Sequence, residues 1–251
     1  MNENYKNIPS LRNYPTIVNK NFVLTKENKN IEGLKKAAGE WSKTCSANKL
    51  SYEIDWLGVP IIQTVEDVVL LQELIFKVQP DVIIESGIAH GGGMIFEASI
   101  LELLGKGKVI GIDIEIREHN REVIEAHPLA KRIEMIQGSS IAEETIYEIR
   151  KRIFPGSKVL VCLDSNHTKT HVLRELELYQ QFVMPGSYIV VFDTIASDLA
   201  KVGLSEQVHI DNGPAEAVAE FLQRNNNFQI DTHFNKLYSS HNQNGYLKRV
   251  K

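Results

Sequence analysis

Short apolar runs alternate with amphipathic segments along the chain from about residue 63 onward. Each apolar run has the length of a β-strand, and several have no polar position on either face. Strands of that kind are typical of a parallel sheet that is covered by helices on both sides. The pattern predicts five such strands, at Val82–Ile84, Val109–Ile112, Ile133–Ile136, Val159–Leu163 and Tyr188–Phe192.

The segments between these strands have the periodicity and the end signals of helices. Thr64 and Asp67 resemble a capping box before the first helix, and Gly105 follows the second as a stop signal. The predicted helices are Val65–Val78, Met94–Leu104, Glu118–Ala126, Ile141–Phe154, His171–Val183 and Pro214–Arg224.

Two further apolar runs, Phe228–His233 and Tyr246–Val250, predict a terminal antiparallel hairpin. Five parallel strands followed by such a hairpin match the seven-stranded methyltransferase sheet better than an all-parallel nucleotide-binding fold. The predicted fold class is therefore α/β: a doubly wound, Rossmann-like sheet of the class I methyltransferase type with a C-terminal antiparallel hairpin.

The first 60 residues differ from the rest of the chain. They contain Asn- and Lys-rich turns around one possible helix, Ile31–Ser42, and too few apolar residues to close a core of their own. We interpret residues 1–60 as an N-terminal cap or assembly arm, packed on a single domain that spans residues 61–251.

Composition excludes several classes of protein. Hydrophobic residues make up 43% and charged residues 24%, which are values of a soluble globular chain rather than a disordered or fibrous one. The net charge of −4, without a tract of Lys and Arg, argues against nucleic acid as a partner. Two distant cysteines, Cys45 and Cys162, and the lack of a signal peptide or transmembrane segment favour a reduced, cytoplasmic protein.

A glycine-rich loop follows the first predicted strand and opens a helix, which is where open α/β sheets bind ligands. Glu85 ends the strand, and Ala89 occupies the middle glycine position of the dinucleotide fingerprint. A carboxylate there suits the ammonium group of S-adenosylmethionine and would repel a pyrophosphate. The prediction is a cofactor site for S-adenosylmethionine; its loop residues are Glu85, Gly87, Ala89, His90, Gly91 and Gly92.

Two more strand ends contribute to the predicted cofactor site. Asp113 ends the second strand, where a carboxylate can accept both ribose hydroxyls. Ser139 and Ser140 follow the third strand and are small enough to border the adenine, although either could instead be a helix N-cap. Asp164, at the end of the fourth strand, completes the predicted set.

Acidic residues at the ends of the fourth and fifth strands predict a site for Mg²⁺ or a similar divalent cation. Asp164 and Asp193 should project from the same edge of the sheet, and Thr194 adds a hydroxyl. His167 follows three residues after Asp164, and an imidazole can accept the proton of a hydroxyl that the cation has acidified. Asp164 and His167 are the predicted catalytic residues; the alternatives are a helix cap for Asp164 and a surface position for His167.

A competing metal site consists of His209, Asp211 and His233, which superficially match the two-histidine, one-carboxylate pattern of non-haem iron oxygenases. These residues lie outside the sheet edge predicted to hold the cofactor. A role in a substrate loop or a structural role is favoured for them.

Six segments in order resemble the family of cephalosporin hydroxylase-like proteins and rhamnosyl O-methyltransferases. The segment around Asp164 is the most specific, and Phe192 departs from the family where related chains place an acid before the second metal aspartate. The segments are Trp56–Gln63, Pro80–Gly87, Ile110–Ile114 with Arg117, Asn120 and Arg121, Leu163–Thr168 with His171–Leu173, Val191–Thr194 and Gly245–Val250.

This resemblance implies a class I fold, S-adenosylmethionine, a Mg²⁺-like metal and a homo-oligomer. The function it implies is transfer of a methyl group to a hydroxyl of a sugar, glycoconjugate or secondary metabolite, so the partner is a small-molecule or glycoconjugate acceptor. Two other functions stay open at this point: an NAD-linked oxidoreductase, and a non-catalytic accessory protein that retains the fold.

Overall fold

The computed structural model of the chain describes residues 30–251. Its helices and strands alternate as the apolar pattern predicts. The helices are α1 (Ile31–Ala47), α2 (Val65–Val78), α3 (Gly92–Leu104), α4 (Glu118–Ala126), α5 (Glu143–Lys151), α6 (Lys169–Tyr179), α7 (Ala196–Lys201) and α8 (Pro214–Arg224). The strands are β1 (Asp55–Trp56), β2 (Val59–Pro60), β3 (Val82–Ser86), β4 (Lys108–Asp113), β5 (Ile133–Gln137), β6 (Val159–Leu163), β7 (Tyr188–Val191), β8 (Phe228–Ile230) and β9 (Tyr246–Arg249).

Seven strands form one sheet in the order β5-β4-β3-β6-β7-β9-β8. Strands β3 to β7 are parallel to one another, and β9 pairs antiparallel with both β7 and β8. Strand β4 lies on one side of β3 and β6 lies on the other, so the direction in which strands are added to the sheet reverses at β3. Sheets of this type bind ligands at the point of reversal. The predicted fold class and its terminal hairpin are confirmed.

The core has two layers because the sheet is apolar on both faces. One face packs against α2 and α3 through residues such as Leu74 and Ile95, and the other packs against α5, α6 and α8 through residues such as Leu176 and Phe221. Each face therefore excludes water from the strands, while their carboxyl ends stay open to ligands. None of the helices within residues 30–251 is long and apolar enough to cross a membrane.

The described part of the predicted arm packs on the domain at two places. Trp56 donates a hydrogen bond from its indole nitrogen to Ser99 Oγ (3.1 Å) and lies edge-on to Phe96, with 4.9 Å between the ring centroids. Ser42 of α1 donates to the carbonyl of Ser239 (3.2 Å). The division into residues 1–60 and 61–251 stays a prediction, and residues 1–29 of that arm lie outside the described residues.

Candidate functional site

Three aspartates that end parallel strands meet at the carboxyl edge of the sheet. Asp113 ends β4, while Asp164 and Asp193 lie just beyond β6 and β7. Backbone hydrogen bonds continue past the strand ends: the Asp164 N–H donates to Ser86 (2.9 Å), and the Phe192 N–H donates to Leu163 (3.0 Å). This pairing fixes the heights of the strand ends and so brings the carboxylates to one edge.

A cavity of about 330 Å³ lies at this edge, beside the loop that joins β3 to α3. Among residues 30–251, its wall contains two carboxylates and neither lysine nor arginine. Six of the residues predicted to bind cofactor line it: Gly87, Ala89, Asp113, Ser139, Ser140 and Asp164.

The wall of this cavity depends on a glycine and on an aspartate. Gly87 has φ +94°, and a Cβ there would lie 2.0 Å from the carbonyl oxygen of Asp164, so only glycine fits. Asp113 Oδ2 accepts from the N–H groups of Ile88 (2.8 Å) and Ala89 (3.3 Å). Asp113 therefore holds the loop in place as well as facing the cavity.

Four residues predicted to bind cofactor do not line the cavity: Glu85, His90, Gly91 and Gly92. Gly91 and Gly92 are required for packing, since a Cβ would lie 2.5 Å from Ile124 Cδ1 at the first and 2.2 Å from the Pro60 carbonyl at the second; their role in cofactor binding stays a prediction. His90 lies in the turn that precedes α3. The glycines matched a ligand-binding pattern because close packing of a helix and a close approach to a ligand both require the absence of a side chain.

Glu85 points away from the cavity, into the layer between β3 and α3. Its Oε1 lies 2.3 Å from where a Cβ of Gly93 would be, and its Oε2 is buried without a hydrogen-bond partner among residues 30–251. Burial and the neighbouring Glu97 raise its pKa well above the ordinary value. Burial also raises the pKa of Glu97 to about 8, so this pair carries protons near neutral pH.

Asp164, His167 and Asp193 form a cluster whose potential ligand atoms all lie within 4.8 Å of one another. His167 Nε2 lies 3.2 Å from Asp164 Oδ1 and 3.6 Å from Asp193 Oδ2. Two carboxylates and an imidazole at this spacing form a donor set that can hold a divalent cation. Asp164 is not a helix cap, because α6 begins after Thr168.

The pKa values in the cluster are set mainly by burial and by the position of one imidazole beside two carboxylates. Burial and the charge of Asp193 raise the pKa of Asp164 to about 6, against the hydrogen bond from His167. Burial disfavours the charged form of His167, but Asp193 and Asp164 outweigh it and raise its pKa to about 9. Burial also opposes ionisation of Asp193, yet His167 and His241 hold its pKa below the ordinary value. The cluster thus carries net negative charge near neutral pH, which attracts a cation.

A second cavity, of about 250 Å³, borders the cluster at His167 and Asp193. It lies between α7 and the short 3₁₀ segment Leu50–Glu53, and its wall includes Gln63, His167 and Asp193. Asp164 faces the first cavity, and His167 and Asp193 face the second. The cluster therefore separates a cavity fit for a cofactor from a cleft fit for another molecule.

Known proteins match this chain over most of its length. The family model described as rhamnosyl O-methyltransferase/CmcI matches residues 48–250. This range contains the cluster and, apart from Ser46, every residue that lines the two cavities. The chain belongs to this family.

Curated relatives are rhamnosyl O-methyltransferases. That of Mycobacterium leprae (strain TN) is 30% identical over 62% of this chain and 67% of its own length. That of Mycobacterium bovis (strain BCG / Pasteur 1173P2) is 27% identical, over 62% of this chain and 63% of its own length. The chain thus matches about two thirds of the length of these relatives.

A solved structure of CmcI with Mg and SAM has the same fold, with a TM-score of 0.56. It is 16% identical in sequence, and the match covers 80% of this chain and 78% of CmcI. At this level of identity the likeness establishes the shared architecture.

Two residues next to the cluster direct no ligand atom into it. Phe192 is 5% exposed and packs in the apolar core, so it offers no ligand. The hydroxyl of Thr194, predicted as a metal ligand, instead contacts the carbonyls of His241 (3.0 Å) and Gln243 (2.7 Å). Thr194 is therefore engaged with a neighbouring loop.

The competing iron site is not assembled. Asp211 pairs with Lys201 (2.8 Å), and His233 Nε2 lies 3.8 Å from Glu73 on the surface. His209 Nδ1 contacts Ser205 Oγ (3.1 Å). Within residues 30–251, the cluster of Asp164, His167 and Asp193 is the group that can hold a metal.

Sequence reasoning missed several polar residues that support the site. Gln63 donates to Asp164 Oδ2 (2.8 Å), and His171 Nε2 lies 3.0 Å from Ser140 Oγ at the cavity wall. His241 Nδ1 lies 3.7 Å from Asp193 Oδ1. Gln63 and His171 fall in segments that resemble the family, so that resemblance was a usable signal; His241 lies in an irregular loop and gave none.

Proposed function

We propose that this chain is an S-adenosylmethionine-dependent, cation-assisted O-methyltransferase. The observation that carries the proposal is the position of the cluster of Asp164, His167 and Asp193 between two cavities. Methyl transfer requires a methyl donor on one side and a hydroxyl acceptor on the other, held close enough for direct attack. Membership of the rhamnosyl O-methyltransferase/CmcI family supports the same reaction.

The first cavity fits the cofactor. Its carboxylates Asp113 and Asp164 complement the positive charge of a sulfonium, and the lack of lysine and arginine in its wall, among residues 30–251, disfavours the pyrophosphate of a dinucleotide. Gly87, Ala89, Ser139 and Ser140 supply a wall of small residues. S-adenosylmethionine supplies the methyl group on that sulfonium, and CmcI with Mg and SAM supports this choice of cofactor.

The cluster fits a divalent cation. Asp164 and Asp193 supply carboxylate oxygens, and their combined charge is what a Mg²⁺-like ion requires. Such a cation supplies Lewis acidity, which makes the proton of a nearby hydroxyl easier to remove. Phe192 leaves the centre with fewer carboxylates than related chains, so the two aspartates carry the binding.

Without a cation, Asp164 and Asp193 keep His167 protonated by raising its pKa to about 9. A cation bound by the two aspartates would offset their charge and lower that pKa, which would free His167 to accept the proton of the acceptor hydroxyl. Its Nε2 lies between the carboxylates of Asp164 and Asp193, and its side chain lines the second cavity. An acceptor hydroxyl close to the cation would therefore lie beside Nε2. S-adenosylmethionine held in the first cavity would supply an activated methyl group to the acceptor oxygen, and the imidazole of His167 would take the proton that this oxygen gives up. Asp164 and Asp193 then stabilise the imidazolium.

The acceptor is a sugar, a glycoconjugate or a secondary metabolite. It occupies the second cavity, and one of its hydroxyl groups receives the methyl group. The polar wall of that cleft and the rhamnosyl O-methyltransferase relatives support a sugar hydroxyl. The family resemblance also favours a homo-oligomer, which light scattering on the purified protein would test.

Calorimetry with S-adenosylmethionine and with NAD tests the cofactor. We expect the first to bind and to bind more weakly to Asp113→Ala, whereas NAD gives no heat of binding. Tight NAD binding without a response to S-adenosylmethionine would favour the oxidoreductase instead. Cofactor binding without methyl transfer to any sugar acceptor, with or without Mg²⁺, would favour a non-catalytic accessory protein.

A further inference from the structure

Asp193 is held in an unusual backbone conformation by a loop distant in sequence. It has φ +50°, a left-handed region that a residue with a side chain rarely adopts. Its N–H donates to Asn242 Oδ1 (2.8 Å), and the next two residues also bind the loop: Thr194 through its hydroxyl, and Ile195 through an N–H donated to the His241 carbonyl (3.1 Å). The loop therefore fixes the backbone from which the Asp193 carboxylate projects.

The Asp193 carboxylate lies between two imidazoles, one on each oxygen. Oδ2 faces His167, and Oδ1 faces His241 Nδ1 at 3.7 Å. The His241 side chain is 15% exposed, and its Nε2 is buried without a hydrogen-bond partner in the part of the chain that the structure describes. The Nδ1 edge of this buried ring therefore points toward the Asp193 carboxylate.

The loop itself is anchored on a buried acid at the start of α2. Asp67 is 1% exposed, and its carboxylate accepts from Ser240 Oγ (2.5 Å), from the His241 N–H (3.0 Å) and from Thr64 Oγ1 (2.6 Å). A buried carboxylate satisfied by three donors is a rigid point of attachment. The same end of α2 also reaches the other aspartate, because Gln63 donates to Asp164.

We propose that His241 is a positioning residue: from a loop anchored on Asp67, its imidazole holds the Asp193 carboxylate in the orientation that binds the cation. The inference rests on the cation-assisted function proposed above. It adds a residue that the sequence motifs omit. Groups that orient a metal ligand without touching the metal commonly change metal affinity by about 10–100-fold when removed.

Paired amide substitutions separate positioning from simple packing. In His241→Asn the amide nitrogen takes the place of Nδ1 and can still face Asp193, whereas in His241→Gln it takes the place of Nε2 and cannot. We expect Mn²⁺, used as a spectroscopic probe for the cation, to bind His241→Asn about as tightly as the wild type. We expect the dissociation constant of His241→Gln to rise by about 10–100-fold.

Electron paramagnetic resonance of free Mn²⁺ during a titration measures these constants without any acceptor. His119→Ala is the control, because this imidazole is exposed on α4 and belongs neither to the cluster nor to the wall of either cavity; its affinity should match the wild type. S-adenosylmethionine affinity should be unchanged in all three variants, since His241 does not line the cofactor cavity. Thermal unfolding of each variant reports on folding.

Equal Mn²⁺ affinity in His241→Gln and the wild type would overturn the inference and leave the proposed function standing. Equal weakening in His241→Asn and His241→Gln would overturn it as well, because it would mean that the ring matters only for packing. If the wild type binds Mn²⁺ no better than Asp193→Asn does, the cation site itself fails, and the proposed function fails with it.

Discussion

His167 is the one imidazole within the cluster, and its proposed role separates chemistry from binding. We expect His167→Ala to lower the turnover of methyl transfer by about 10²–10⁴-fold, the usual contribution of a general base. Its affinity for S-adenosylmethionine should stay near that of the wild type, because His167 faces the second cavity rather than the first. Steady-state kinetics and calorimetry measure the two quantities separately.

His233→Ala is a suitable control for that experiment, since His233 lies on the surface beside Glu73. It should preserve both turnover and affinity. Unchanged turnover in His167→Ala would remove His167 from the mechanism, whereas a parallel loss of cofactor affinity would indicate that the substitution disturbs the cavity.

Single residues of the site were predictable where the strand pattern fixed their position. Asp113, Asp164 and Asp193 each follow an apolar run, so the sheet alone determines that their side chains share an edge. Gln63 and His241 support the aspartates from segments without periodicity. Their approach depends on tertiary packing of the loops, which no local pattern encodes.

The loop between β3 and α3 illustrates how one pattern can have two causes. Gly92 matches the glycine-rich cofactor motif, but in the structure its α-carbon faces the Pro60 carbonyl, where a Cβ would approach to 2.2 Å. We expect Gly92→Ala to lower the free energy of unfolding by about 1–3 kcal/mol, because the backbone of residues 60–61 must move. Chemical denaturation measures this change.

Gly39→Ala is the matched control for Gly92→Ala. Gly39 lies within α1, and a Cβ there meets nothing within 4 Å, so alanine should leave stability equal or slightly higher through its helix propensity. If Gly92 instead acts by contact with the cofactor, Gly92→Ala would weaken S-adenosylmethionine binding without a loss of stability. That outcome would support the prediction for Gly92.

The helices and strands of the main sheet were predicted, although α5 and α6 end at Lys151 and Tyr179, before their predicted ends at Phe154 and Val183. Helix α7 and strands β1 and β2 were not predicted. Helices α2, α4 and α8 have the predicted bounds, and Gly105 ends α3 in a left-handed conformation as expected. Helix α7 has six residues and β1 and β2 have two each, which is too short for a period to emerge. Helix α3 begins two residues before its predicted start because glycine, a poor helix former, occupies its first turn.

The molecule as a whole includes a buried acid pair between its sheet and α3. Glu85 and Glu97 are 7% and 1% exposed, and Cys162 of β6 is buried beside them. No basic side chain is among the groups that shift the pKa of either acid. The folded protein therefore keeps a proton on this pair that the unfolded chain releases, so the fold depends on pH.

Burial raises the pKa of Glu97 from 4.5 to about 8, and this fixes the sign of that dependence. Between these two values the unfolded chain binds fewer protons than the folded chain, so stability falls as pH rises through the window. Glu97→Gln keeps the shape of a protonated acid without the proton to lose. We expect its melting temperature to exceed that of the wild type by a few degrees at about pH 8 and to show no gain at about pH 5. Glu122→Gln is the control, because Glu122 is an exposed acid on α4; its melting temperature should follow that of the wild type at both pH values. If Glu97→Gln lowers the melting temperature equally at about pH 5 and about pH 8, the core requires the ionised carboxylate of Glu97.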